Sequence, residues 1–223
     1  EEIYKKIEEF SSCGLRVLAF AYHKSNQSSI DLEQIPPLTF GGLFAMADVL
    51  RSGVSEAVAM VKKNNIKTVM ITGDFIGTAK AIAKEANIYK EGDTIITGPE
   101  LDILSTKELS KRIHNVSVFA RVLPEQKLKI VEAYKFRGDI VCMTGDGVND
   151  APALKRANLG VAMGSGTDVA KEVGSMIITD DCFTSIVAGV EEGRHAYNNV
   201  RKVIYLLIST GAAEVVLFLL SIV

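Results

Sequence analysis

The chain has 223 residues, with 25 Lys and Arg against 27 Asp and Glu and a formal net charge of −2. That length allows one or two domains with a substantial core, and that charge balance gives no sign of the basic surface a nucleic-acid binder needs. Cys13, Cys142 and Cys182 lie far apart and form no CxxC pair. Neither a zinc site nor a disulfide framework is expected, and Cys142 reads as a buried strand residue rather than a nucleophile. The N-terminal Glu-Glu-Ile-Tyr-Lys-Lys has neither a signal nor a transit pattern.

In chain order, Glu1–Ser12 reads as a helix and Leu15–Tyr22 as a strand. A polar linker follows, and Ser25-Asn26-Gln27-Ser28-Ser29 with Pro36-Pro37 marks an expected domain boundary. Beyond it, strand-like runs at Leu38–Ala47, Thr68–Ile71, Val116–Ala120, Ile140–Met143, Leu159–Met163 and Ser175–Ile178 alternate with helical segments. The helices are expected at Gly53–Asn64, Thr78–Ala86, Pro124–Phe136, Ala151–Ala157 and Thr167–Val173, with Pro124 well placed near a first turn. Such alternation predicts an α/β fold, a doubly wound parallel sheet with helices on both faces.

From Phe183 a helical pattern runs into Val203–Val223, 21 residues whose one charge is Glu214. This segment is long enough to cross most of a bilayer's hydrocarbon. Arg194, Arg201 and Lys202 stand just before it, so the positive-inside rule puts the preceding residues, 1 to about 200, in the cytoplasm. A buried core helix is the alternative. The run is still apolar at Val223, as expected of a membrane protein cut within a span.

The chemistry concentrates in Thr144-Gly145-Asp146-Gly147-Val148-Asn149-Asp150, which follows an apolar strand and precedes a helix. At the carboxyl end of a parallel strand such a loop can hold a divalent metal and let backbone approach a phosphate. Asp146 can ligate Mg²⁺ directly, while Asn149 and Asp150 hold its water or orient a phosphoryl group. Thr72-Gly73-Asp74 repeats the pattern after Val69-Met70-Ile71, offering a hydroxyl and an unobstructed backbone N–H to an anion. Lys127, in the first turn of an expected helix, adds a compact positive charge that can neutralise a phosphoryl group. Together these groups suit phosphoryl transfer, which needs mainly positioning and charge stabilisation. A nucleophile is missing from the set.

The strings TGDGVNDAPAL, MITGD, FARVLPEQKLKIV and GVAMGSGTDVAKE resemble the phosphorylation domain of the P-type ion-pumping ATPases, a branch of the haloacid dehalogenase-like superfamily, in that family's order. The resemblance covers essentially the whole chain. It implies a Rossmann-like phosphorylation domain at 36–182, the C-terminal end of a nucleotide-binding domain at 1–35, and a stalk with the start of the fifth transmembrane helix at 183–223. It further implies that Arg16 touches ATP phosphates and that Thr72 and Gly73 hold the phosphoryl group. Asp74 would orient nucleotide and hinge, Arg121 would belong with the nucleotide and phosphate contacts, and Lys127 would bind the transferred phosphate. Asp146 would ligate Mg²⁺, with Asn149 and Asp150 in support. Mg²⁺ and ATP are thus the implied cofactors. The implied partners are the rest of a multi-pass pump polypeptide, the lipid bilayer and a transported cation.

The family phosphorylates an Asp in an Asp-Lys-Thr-Gly-Thr motif, and no Asp of this chain has that context. The chain alone is therefore expected to be inactive. Its sheet is expected to be incomplete at the centre, where the nucleophile-bearing strand would sit. Phe119-Ala120-Arg121 and Glu191-Glu192-Gly193-Arg194 before Tyr197-Asn198-Asn199 resemble the calcium-pump group, whose oxygen ligand on the fifth span Glu214 would match. An ionisable residue in mid-bilayer is costly and usually functional. Two departures stand out: Gly211 where that group usually has Asn, and Asp48-Val49-Leu50-Arg51 in place of Asp-Pro-Pro-Arg. A soluble phosphatase of the same superfamily and a non-catalytic half-pump serving as a binding module are the alternative readings.

Overall fold

The computed structural model describes residues 2–24, 35–46 and 50–222. The Ser25–Ser29 linker, Ala47, and Asp48-Val49 of the departing motif lie outside the described residues. The chain forms two compact units, Glu1–Asp181 and Cys182–Val223.

The first unit opens with α1 (Glu2–Ser12) and β1 (Arg16–Tyr22). β1 pairs antiparallel with β2 (Thr39–Met46), in a register that sets Arg16 opposite Met46 and Tyr22 opposite Thr39. β2 therefore joins β1 across the polar linker and takes no place in the parallel sheet. Phe20 and Phe44 pack against each other with ring centroids 5.0 Å apart.

The remaining elements alternate. They run α2 (Val54–Lys63), β3 (Met70–Ile71), α3 (Ile76–Glu85), β4 (Thr94–Thr97), α4 (Gly98–Ile103), α5 (Thr106–Arg112) and β5 (Val116–Ala120). Then come α6 (Pro124–Phe136), β6 (Cys142–Gly145), α7 (Ala151–Arg156), β7 (Leu159–Met163), α8 (Asp168–Val173) and β8 (Met176–Ile178). Asn65 and Asn87, both with φ 59°, end α2 and α3 in the left-handed conformation that Asn tolerates better than most residues. β4, α4 and α5 were not anticipated from sequence. Both helices begin with a Glu that reaches back to the capping residue: Glu100 accepts from the Thr97 N–H at 2.7 Å and Glu108 from the Ser105 N–H at 2.9 Å, and the Ser105 hydroxyl accepts in turn from the Glu108 N–H at 3.2 Å.

The expected parallel sheet is present in two three-stranded halves, ordered β3-β5-β4 and β6-β7-β8. Every pairing within them is parallel. Among the described residues β3 and β6 are each partnered on one side only. β5 is buried along its whole length, with α3 on one face and α4 to α6 on the other. Ile71 of β3 packs against the cores of both halves, and α6 supplies Ile130 to one core and Val131 to the other. Burying side chains such as Phe119, Leu101 and Ile130 contributes about 1.5–3 kcal/mol each.

β6 begins two residues later than the apolar run suggested. Ile140 is 84% exposed, and Asn158 takes the Val141 N–H with its side chain at 3.0 Å. Cys142, expected to be buried, is exposed, since it starts a strand with no neighbour on one side among the described residues.

The second unit contains α9 (Phe183–Ile222), 40 residues in one helix. At 1.5 Å per residue it is about 60 Å long, roughly twice the hydrocarbon thickness of a bilayer. Its C-terminal half is apolar on every side, from Val203 to Ile208 and from Val215 to Leu220, the composition of a membrane-spanning helix.

Candidate functional site

Three loops at the carboxyl ends of parallel strands are tied together by hydrogen bonds. After β3, the Thr72 hydroxyl donates to Asp74 Oδ2 at 2.8 Å and accepts from the Asp74 N–H at 3.1 Å. After β5, the Val122 N–H donates to the Thr72 carbonyl and the Arg121 N–H to the Asp74 carbonyl, both at 3.0 Å. Arg121 achieves this with a left-handed φ of 53°, and its guanidinium lies 5.0 Å over the Phe75 ring.

The next link runs through α6. Pro124 opens the helix, and buried Gln126 fixes its start by accepting from the Leu123 N–H at 2.9 Å while donating to Gly98 O and Asp102 Oδ1. One residue on, Lys127 Nζ reaches Asp150 Oδ1 at 2.6 Å. The pair is largely withdrawn from water, with side-chain exposures of 18% and 9%. The other Asp150 oxygen accepts from the Gly147 N–H at 3.3 Å. Glycine is required at 145, because a Cβ there would stand 2.5 Å from the Asp150 Cβ.

Asp150 thus has both oxygens engaged, whereas Asp146 is exposed and no described hydrogen bond or ion pair engages its carboxylate. Asn149 is exposed beside it. Among the described residues no three His, Cys, Asp or Glu side chains converge. That donor set does not suit a closed zinc cage. It suits a hard ion such as Mg²⁺, which takes one or two carboxylates and fills its octahedron with water and phosphate oxygens.

The structure therefore brings Thr72, Gly73, Asp74, Arg121, Lys127, Asp146, Asn149 and Asp150 into one connected set of loops. Arg16 is not brought in: it lies exposed on β1, and no described bond ties it to these loops. Glu214 belongs to the second unit. Gly211, one turn before it, has nothing within 4 Å of where a Cβ would be.

Sequence reasoning missed the turn after β7. The Thr167 N–H donates to the Asp146 carbonyl at 2.8 Å, and a Cβ on Gly166 would come within 2.8 Å of that same oxygen. The signal was present as Gly164-Ser165-Gly166-Thr167, a third glycine-rich loop at a strand end. Further back, the Ser165 hydroxyl and N–H hold the Asp181 carboxyl below the usual carboxylate range, with a smaller contribution from Arg51.

Residues 15–158 match the haloacid dehalogenase-like hydrolases, and the chain belongs to that family. Within it, the chain is similar over its whole length to cation-transporting ATPases. It is 47% identical to Calcium-transporting ATPase 1 of Lactococcus lactis, over 100% of this chain and 26% of that protein. Against Calcium-transporting ATPase 1 of Bacillus cereus it is 48% identical, over 99% of this chain and 25% of that protein. A Synechocystis cation-transporting ATPase is 47% identical over 99% of this chain and 25% of its own length. The chain thus spans about a quarter of the length of these relatives. Among solved structures, a zinc-transporting PIB-type ATPase in its E2.Pi state superposes with a TM-score of 0.61 at 27% identity, covering 90% of this chain and 26% of that one.

Proposed function

We propose that these residues supply the Mg²⁺- and phosphate-binding half of the phosphorylation site of an ATP-driven membrane cation pump. The observation that carries the reading is the buried Lys127–Asp150 pair, which joins the loops while leaving the Asp146 carboxylate unengaged beside it. Asp146 would ligate Mg²⁺, which when bound neutralises charge on the transferring phosphoryl group. Lys127 uses one of its three donors on Asp150 and keeps two for phosphate oxygens. Asp150 positions Lys127, Asn149 orients the phosphoryl group, and the Thr72–Asp74 loop approaches it through the Gly73 backbone. Arg16, Asp74 and Arg121 are assigned to ATP.

The nucleophile would come from elsewhere in the polypeptide. β3 and β6, which like β4 and β8 are partnered on one side only among the described residues, each lead into a Thr-Gly-Asp tripeptide, and in this reading the strand bearing the phosphorylated Asp lies between them. In this reading residues 1–35 finish a nucleotide-binding domain, 36–182 form the phosphorylation domain, and 183–223 form a stalk entering the membrane. The globular part is cytoplasmic.

The transported ion is Ca²⁺ in this reading, with Glu214 as a ligand. The names of two of the relatives described above support it. The full-length polypeptide, given labelled ATP in membranes, is expected to form an acid-stable phosphoenzyme that requires Ca²⁺ and is lost in Lys127→Ala. Calcium dependence that survives Glu214→Gln unchanged would remove Glu214 as a ligand. The 223-residue chain alone is expected to give no labelled band, and one would refute the division of the site.

A further inference from the structure

Asp181 lies 31 residues beyond the Asp150 loop, yet its carboxylate is committed to the turn that supports it. Asp181 Oδ1 accepts from the Ser165 N–H at 3.1 Å, and Arg51 Nη1 donates to the Asp181 carbonyl at 2.6 Å. Asp181 itself holds a left-handed φ of 53°. For a non-glycine residue this costs on the order of 1–3 kcal/mol and persists only where the surroundings impose it.

The turn that Asp181 grips is fixed on its other sides too. The Gly164 N–H donates to the Ile178 carbonyl at 2.7 Å, Gly166 N–H to Met163 at 3.0 Å, and Thr167 N–H to Asp146 at 2.8 Å. There is no slack between the turn and Asp146, since even a methyl group on Gly166 would collide with the Asp146 carbonyl. Residues 164–167 therefore act as a spacer of fixed thickness between Asp181 and the Asp146 backbone.

We propose that Asp181 is a positioning residue for the metal loop, holding the Gly164–Thr167 turn so that the turn holds Asp146. The inference rests on the reading of Asp146 as the Mg²⁺ ligand and deepens it. Asp181 touches neither metal nor phosphate. Its loss frees Ser165, relaxes the turn and removes the fixed donor behind Asp146. Metal affinity then falls, while the fully loaded site still works.

Two readouts on the full-length protein test this. The first needs no metal: amide hydrogen exchange in the peptide spanning 163–168 is expected to be about tenfold faster in Asp181→Ala than in the parent. The second is the Mg²⁺ concentration for half-maximal phosphoenzyme, expected to rise by about 10-fold or more, as is usual when a group behind a ligand is lost. Phosphoenzyme at saturating Mg²⁺ should stay at the parent level. Asp181→Asn, whose amide oxygen still accepts from Ser165, should restore both readouts. Should Asp181→Ala not accumulate, Asp181→Glu carries the test: its extra methylene displaces the turn and raises the Mg²⁺ requirement. An unchanged exchange rate and Mg²⁺ requirement overturn the proposal while Asp146→Asn still raises the requirement. A phosphoenzyme loss that saturating Mg²⁺ does not restore marks a purely structural role and overturns it equally. If Asp146→Asn leaves the requirement unchanged, it is the reading of Asp146 that fails.

Discussion

The two ends of the parallel strands use the same residue types to opposite effect. At the amino ends, Lys62, Lys67, Asp93, His114, Ser117 and three Asn residues line a cleft of about 350 Å³. Two of its charges are spent on structure. Lys67 donates to the Ile113 and His114 carbonyls at 3.0 and 2.6 Å, and Asp93 accepts from the Ser117 hydroxyl at 2.6 Å and the Lys90 N–H at 2.9 Å. At the carboxyl ends one Lys–Asp pair is closed, and Asp146, Asn149 and the Arg121 guanidinium remain at the surface. The cleft offers a concavity, yet unspent polar groups are what a substrate can use. A hollow whose Lys67 and Asp93 are matched internally is a joint, and a face that keeps unmatched groups is a site.

The largest expected effect comes from breaking the closed pair. Lys127→Met leaves Asp150 charged and buried, which costs about 3–5 kcal/mol. Protease resistance of the full-length protein across a urea series should report that loss, and Lys127→Met with Asp150→Leu should recover most of it. Recovery of stability without phosphoenzyme would separate the pair's structural share from its chemical one. At the other end, Lys67→Met strands two carbonyls and should cost about 1–3 kcal/mol by the same measurement. It should leave the Mg²⁺ requirement of phosphorylation untouched, and a change there would break the contrast between the two ends.

A smaller effect tests the Asp93 bond by pH. The Ser117 hydroxyl holds the Asp93 carboxyl below its ordinary value. A carboxylate whose folded pKa is depressed stabilises the fold above its unfolded pKa of about 3.9 and loses that contribution as pH falls through the lower folded value. Acid unfolding of the parent protein should therefore steepen below about pH 4. Asp93→Asn should be less stable at neutral pH and flatter in that window. Parallel curves would remove Asp93 from the account of the amino end.

Legibility in the sequence followed burial. β5, α6 and β7 begin and end where their apolar runs do, because β5 is buried from end to end and Pro124 sets the start of α6. β6 starts late because Ile140 belongs to an apolar run but faces water. β4 is four residues with a Thr at each end, and Gly98-Pro99 after it looks like a turn. The caps at Thr97 and Ser105 were the readable signal there, each with Glu three residues on. The pairing of β1 with β2 is set across a polar linker, and no local pattern encodes it. In the candidate site, the placement of Asp146 after a strand and of Lys127 in a helix's first turn was legible from residue type and spacing. The Gly166 contact with Asp146 was not, since it depends on how closely two loops approach.

In the proposed site Asp146 serves the metal and the amino-end carboxylate Asp93 does not. The direct measurement is Mg²⁺ dependence of phosphoenzyme formation from labelled ATP in the full-length protein, comparing Asp146→Asn with Asp93→Asn. Asp146→Asn is expected to raise the half-saturating Mg²⁺ concentration by at least about tenfold, while Asp93→Asn leaves it at the parent value. Equal shifts in both variants, or none in Asp146→Asn, would contradict it.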